Sequence, residues 1–190
     1  RLLGLILFVP LLCWGLTGIV FLIKPGYEAA YAPLNVKTYP LTNEITLQPS
    51  PDWLAQRVLK TALGTHLLVQ TSTGNLHLNP TRFEAITQPS NDNLKALIND
   101  AIAHNPKRYG QVELINGNTL TTSTGVDITL DWNTLSLRQA GKDTALINAL
   151  YRVHYLQWSP WSGANVILAV AGIFILLLLS AVGLQLYIKH

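Results

Sequence analysis

Five histidines carry most of the chemistry open to this chain. His66 and His77 flank a predicted hairpin turn, His104 closes a predicted helix, His154 lies on an aromatic helix and His190 is terminal. None stands at a metal-binding spacing from another His, Cys or carboxylate. His66 and His77 would face one another only in one particular strand register, and the plainer reading makes them surface or strand-packing side chains. His154 is the stronger candidate. Helical spacing puts it on one face with Ile147, Tyr151 and Trp158, next to a predicted membrane boundary. A neutral imidazole there could serve as an axial haem ligand. The competing reading is an aromatic belt at headgroup level, anchored by Tyr27, Tyr151, Tyr155, Trp158 and Trp161. Neither apolar segment holds a second histidine. The expectation is therefore no cofactor, or a haem whose other ligand comes from a partner chain or from residues upstream of Arg1.

Other chemistry has less support. No serine sits in a Gly-x-Ser-x-Gly elbow, and neither a phosphate loop nor a dinucleotide fingerprint occurs. Thr-Ser-Thr-Gly appears at 71–74 and again at 122–125, which reads as turn chemistry. No spacing pairs Asp100, Asp127 or Asp131 into an acid–base site. The single cysteine, Cys13, leaves no intrachain disulfide and excludes a zinc site built on thiolates. With a formal charge of +3 and no run of Lys or Arg, nucleic acid is set aside as a partner. No catalytic residue is assigned.

The elements that would position His154 are two long apolar segments and what lies between them. Only 12% of the 190 residues are charged, which suits a membrane protein carrying a soluble part. Residues 1–24 and 164–188 each approach or exceed the roughly 20 helical residues that a bilayer core of about 30 Å requires. Pro10 should kink the first. Gly15, Thr17 and Gly18 in the first, and Gly172, Ser180 and Gly183 in the second, are small enough for close helix packing. Residues 25–142 form the domain between them, and 143–163 an aromatic helix followed by a break at Ser159-Pro160. Within the domain, Ser50-Pro51 predicts a helix with Leu54, Val58 and Ala62 as its apolar stripe and Gly64 as its stop. A short strand is expected at 42–47. A hairpin follows at 66–78, its turn at Ser72-Thr73-Gly74, and then a helix from Ser90 to about Asn105. Four short strands, at 111–116, 119–124, 126–131 and 134–139, complete an α+β module with an antiparallel sheet.

Arg1-Leu2-Leu3-Gly4-Leu5 with Trp14-Gly15-Leu16-Thr17-Gly18, and His154-Tyr155-Leu156-Gln157-Trp158 before the final apolar run, resemble the first and last helices of PepSY-associated transmembrane proteins. The middle, with 51–62 as helix and 66–78 as hairpin, is similar to a PepSY module. The resemblance implies an extracytoplasmic PepSY-like domain flanked by two transmembrane helices in a bacterial inner membrane. Arg1, Lys189 and His190 outside the spans favour cytoplasmic termini and a periplasmic domain. The resemblance further implies a non-catalytic accessory or regulatory subunit that binds another inner-membrane or periplasmic protein, in the setting of iron-siderophore uptake. The alternative it offers is a haem-binding component of a ferric-siderophore reductase, with His154 as ligand.

Overall fold

Alternating side chains and two-residue turns build the middle of the chain. The computed structural model describes residues 2–42, 44–47 and 50–188, so Arg1, Lys189 and His190 lie outside the described residues. Two units form: Glu28–Lys142, and Arg1–Tyr27 together with Asp143–His190.

In the first unit, β1 (Trp53–Thr61), β2 (Gly64–Thr71) and β3 (Gly74–Leu78) make an antiparallel sheet in the order β1-β2-β3. A second sheet, order β4-β5-β6-β7, comprises β4 (Val112–Asn116), β5 (Thr119–Thr122), β6 (Asp127–Asp131) and β7 (Ser136–Ala140). The helix α3 (Asn91–Ile102) buries Leu94, Leu97, Ile98, Ala101 and Ile102, the one-sided stripe its spacing predicts. These side chains share one core with Leu59 and Leu68 of the first sheet and Leu120, Ile128 and Leu130 of the second. Leu67, Val69 and Leu78 form a smaller cluster with Trp53, Val58 and Phe83. The pleat sends Leu67 and Val69 to one face of β2 and His66 and Leu68 to the other, and both faces are buried.

The helix expected at 51–62 is instead the strand β1. Ser50-Pro51 imitates a helix start, but Thr61 pairs with Gly64 across Ala62-Leu63, so Gly64 (φ +115°) closes a hairpin turn. Pairing along β2 from Trp53↔Thr71 to Thr61↔Gly64 outweighs a stripe of three small or aliphatic residues. The strand expected at 42–47 is also absent: its described residues are coil, and Asn43 lies outside the described residues. The short helix α4 (Pro106–Tyr109) follows Asn105, whose side chain accepts from the Arg108 N–H. Both Thr-Ser-Thr-Gly segments are turns. In each the first threonine hydroxyl meets the third residue's hydroxyl at 3.1 Å.

The second unit is helical. α1 (Leu2–Ile23) runs through Pro10 without interruption, and its apolar described part is Pro10–Ile23. After α2 (Tyr27–Ala30) and the first unit comes α5 (Lys142–His154). It closes by the bonds that satisfy the last carbonyls of a helix: Gln157 N–H to Arg152 O (2.8 Å) and Leu156 N–H to Val153 O (3.3 Å), with Leu156 at φ +54°. Asn165 ties the break together, accepting from Ser159 N–H and donating to Ser159 O. α6 (Ser162–Ile188) then spans 27 residues, or about 40 Å at 1.5 Å per residue. Its segment Ser162–Gln185 is long and apolar enough to cross a membrane, and its apolar side chains are exposed.

Candidate functional site

His154 occupies the last turn of α5, and the tight closure behind it fixes where its ring lies. Its Nδ1 is 2.9 Å from Thr17 Oγ1 on α1. The Thr17 hydroxyl already donates to Cys13 O at 2.5 Å, the usual back-bond of a helical threonine. Thr17 therefore accepts, His154 Nδ1–H donates, and the neutral ring keeps its lone pair on Nε2. A histidine oriented through one nitrogen with the other left basic is the arrangement found at metal and haem ligands. Phe21 meets the ring edge-on at 4.9 Å and Tyr155 at 5.4 Å. Tyr151 stacks on Phe21 at 4.5 Å and Tyr27 lies 6.1 Å from Tyr151, so three of the five expected interfacial anchors, Tyr27, Tyr151 and Tyr155, cluster with Phe21 and the histidine. Trp158 and Trp161 lie beyond the helix end and are exposed.

Of the small residues singled out for packing, Thr17 is buried and Gly172 is crowded. A Cβ at Gly172 would come 3.2 Å from both the Trp14 ring and Leu156 Cδ1. The Trp14 indole N–H is buried without a hydrogen-bond partner among the described residues. Gly15, Gly18 and Gly183 have open space where a Cβ would go, and Ser180 donates to Leu176 O within its own helix.

The second histidine site is in the first unit, and it depends on the length of one turn. Thr71 pairs with Gly74, so the turn is Ser72-Thr73 and Gly74 belongs to β3. That register places His77 opposite Leu68, diagonal to His66 on the same face; a three-residue turn would have put them on opposite faces. Both rings are 3% exposed. His66 Nδ1 lies 2.8 Å from His77 Nε2, His77 Nδ1 lies 2.8 Å from Trp132 O, and His66 Nε2 lies 2.8 Å from Thr61 Oγ1. A carbonyl only accepts, so His77 carries its hydrogen on Nδ1. His77 Nε2 then accepts from His66 Nδ1–H, and His66 Nε2 accepts from the Thr61 hydroxyl, whose oxygen takes the Leu63 N–H at 3.1 Å. One neutral proton arrangement satisfies every member. Trp132 covers the pair, 4.4 Å from the His77 ring, and its indole N–H donates to Ile86 O at 2.9 Å. Burial, and secondarily the neighbouring His77, pushes the His66 pKa down to about 4. Burial also lowers His77, against the opposing pull of the Trp132 carbonyl. The pair shares a proton across 2.8 Å and leaves no space for a metal between its nitrogens. Among the described residues no group of three or more His, Cys, Asp or Glu could hold a metal.

The three aspartates are apart. Asp100 accepts from Lys37 and Tyr39, Asp127 from Thr121, and Asp131 from the Asn133 N–H. His104 bonds through its Nδ1 to the Ala101 carbonyl, within its own helix end. No known protein family, curated protein or solved structure matches the chain.

Proposed function

We propose that this chain is a non-catalytic accessory subunit of a bacterial inner membrane. Its α+β unit is read as a periplasmic PepSY-like module that binds another envelope protein, in iron-siderophore uptake. The observation that carries the proposal is α6, whose apolar side chains face outward along its length, including Ile167, Phe174 and Leu177. Such a surface is stable only against lipid or other apolar helices. We read α1 as the second span: at about 1.5 Å per residue its 22 residues reach roughly 33 Å. Both termini are then cytoplasmic. The test is purification from membranes in mild detergent, with protease added to intact spheroplasts. Support would be cleavage in 28–142 from outside together with a stoichiometric envelope partner. A module shielded from external protease, or a chain that purifies alone in every mild detergent, would sink it.

A second reading has its own observation. With its Nδ1 bonded to Thr17, a neutral His154 would have its Nε2 lone pair available to hold a haem iron. The bound haem would supply one-electron chemistry, and a partner chain would have to supply the other ligand. An absorption spectrum of the purified complex distinguishes the two: a Soret band lost in His154→Ala favours a redox component, and a colourless complex with its partner intact favours the accessory role.

A further inference from the structure

We propose that the buried Thr61–His66–His77–Trp132 relay is an acid-sensitive clasp, holding the β1–β3 sheet to the turn after β6 and releasing it when protons enter. His77 Nδ1–H to Trp132 O is the buried bond between the two, and Trp132 Nε1–H to Ile86 O holds the indole in place. Every bond of the clasp is satisfied only with both rings neutral. A first added proton must go to His66 Nε2, the one ring nitrogen not bonded to hydrogen or to the other ring. It turns the Thr61 hydroxyl from donor to acceptor and leaves that hydroxyl hydrogen without its partner. A second proton has only His77 Nε2, which would set two N–H groups against each other across 2.8 Å. The doubly charged pair cannot keep this geometry, so acid separates the rings.

Among the described residues no neighbouring anion compensates. On the shared face β1 contributes Leu59, Thr61 and the cation of Arg57, which donates to Thr134 O at 3.4 Å. β2 adds Leu68 to that face and no charge, and α3 joins the core through Leu94, Leu97 and Ile98 while Asp92 and Lys95 are exposed. The turn brings Trp132 inward and leaves Asp131 exposed, and on the 83–86 segment Glu84 is exposed beside Arg82. With His66 down near 4 against about 6.5 in an open chain, the sign follows. The closed form binds fewer protons, so its advantage is complete above about pH 6.5 and is lost as pH falls through 4. By that linkage, opening at pH 5 is favoured about twenty-fold more than at neutral pH.

The full chain in detergent, labelled with ¹⁵N-histidine, provides the test. At pH 7.5 both buried rings should show the neutral Nδ1–H form in long-range ¹H–¹⁵N spectra. Between pH 6.5 and 4.5, amide exchange in 64–78 and 131–134, corrected for its intrinsic pH dependence, should accelerate on the order of thirty-fold, ahead of β4 and β5. In His66→Gln, which keeps a donor and an acceptor but does not titrate, the acceleration should shrink at least ten-fold. If either ring titrates near pH 6.5 with exchange unchanged, or His66→Gln opens in acid like the parent, the proposal is wrong. Should His66→Gln fail to fold, the titration of the unsubstituted chain decides alone.

Discussion

Gly110→Ala is the sharpest probe of how the first unit is assembled, because its cost divides into two measurable parts. Gly110 ends α4 at φ +62°, ψ −121°, a conformation that side chains rarely adopt, while its N–H donates to Pro106 O. A Cβ there would stand 2.0 Å from Ser123 Oγ, yet 3.4 Å from Ser123 Cβ. The backbone part costs about 1–3 kcal/mol, less roughly 0.4–1 kcal/mol for the stiffer unfolded chain. The contact part is smaller, because Ser123 can rotate away. Doing so forfeits the bond from Gln111 N–H to Ser123 Oγ (3.2 Å), worth about 0.5–1.5 kcal/mol. The expected total is about 2–3 kcal/mol, or a urea midpoint lower by roughly 1–2 M for a domain of this size. Urea titration of the full chain in detergent, read by pulse proteolysis of 28–142, measures it. Ser123→Ala alone should cost about 1 kcal/mol, and Gly110→Ala should be cheaper by a similar amount in that background. A Gly110→Ala cost below about 0.5 kcal/mol, or one unchanged by Ser123→Ala, would refute this account of the junction.

Three further outcomes follow from the same geometry. Thr17→Val keeps the volume but strips the acceptor from His154 Nδ1–H, so thermal unfolding of the helical unit should weaken by about 1–2 kcal/mol and the ¹⁵N signature of His154 should lose its Nδ1–H preference; an unchanged spectrum would contradict the bond. Trp132→Phe removes the donor to Ile86 O and leaves space over His77, costing about 2–4 kcal/mol by urea titration. Asp100→Asn should cost under about 1 kcal/mol and cost still less in high salt, since its partner Lys37 is half exposed; a larger, salt-independent loss would mean that the contact is structural.

What could be read from the sequence follows physical range. The β2–β3 hairpin, α3 and the four-strand meander are legible because their signals are local: alternation, a one-sided stripe, and an Asn-Gly pair at 116–117, although the turn itself is Gly117-Asn118. β1 was misread because its first residues carry genuine helix-start chemistry, and only its partner β2 shows that the Ala62-Leu63-Gly64 segment is a hairpin. The histidine pair hung on a single residue of turn length, since reading Ser72-Thr73-Gly74 as the turn reverses the face of His77. Thr17 was expected to matter for its small size, whereas its hydroxyl is what bonds His154 across 137 positions of sequence. No local pattern reports such a pair.

Within each sheet every strand after the first is bonded to the one made just before it, in the orders β1-β2-β3 and β4-β5-β6-β7. A polypeptide emerging N-terminus first can therefore zip each hairpin as soon as its second strand is made. The isolated bridges Tyr39↔Lys60 and Asn35↔Ser136 are exceptions, and the second leaves the stretch around Asn35 to dock only after β7 has been made. Folding of this unit can follow the emergence of the chain closely, with closure over long sequence distances left to its N-terminal stretch.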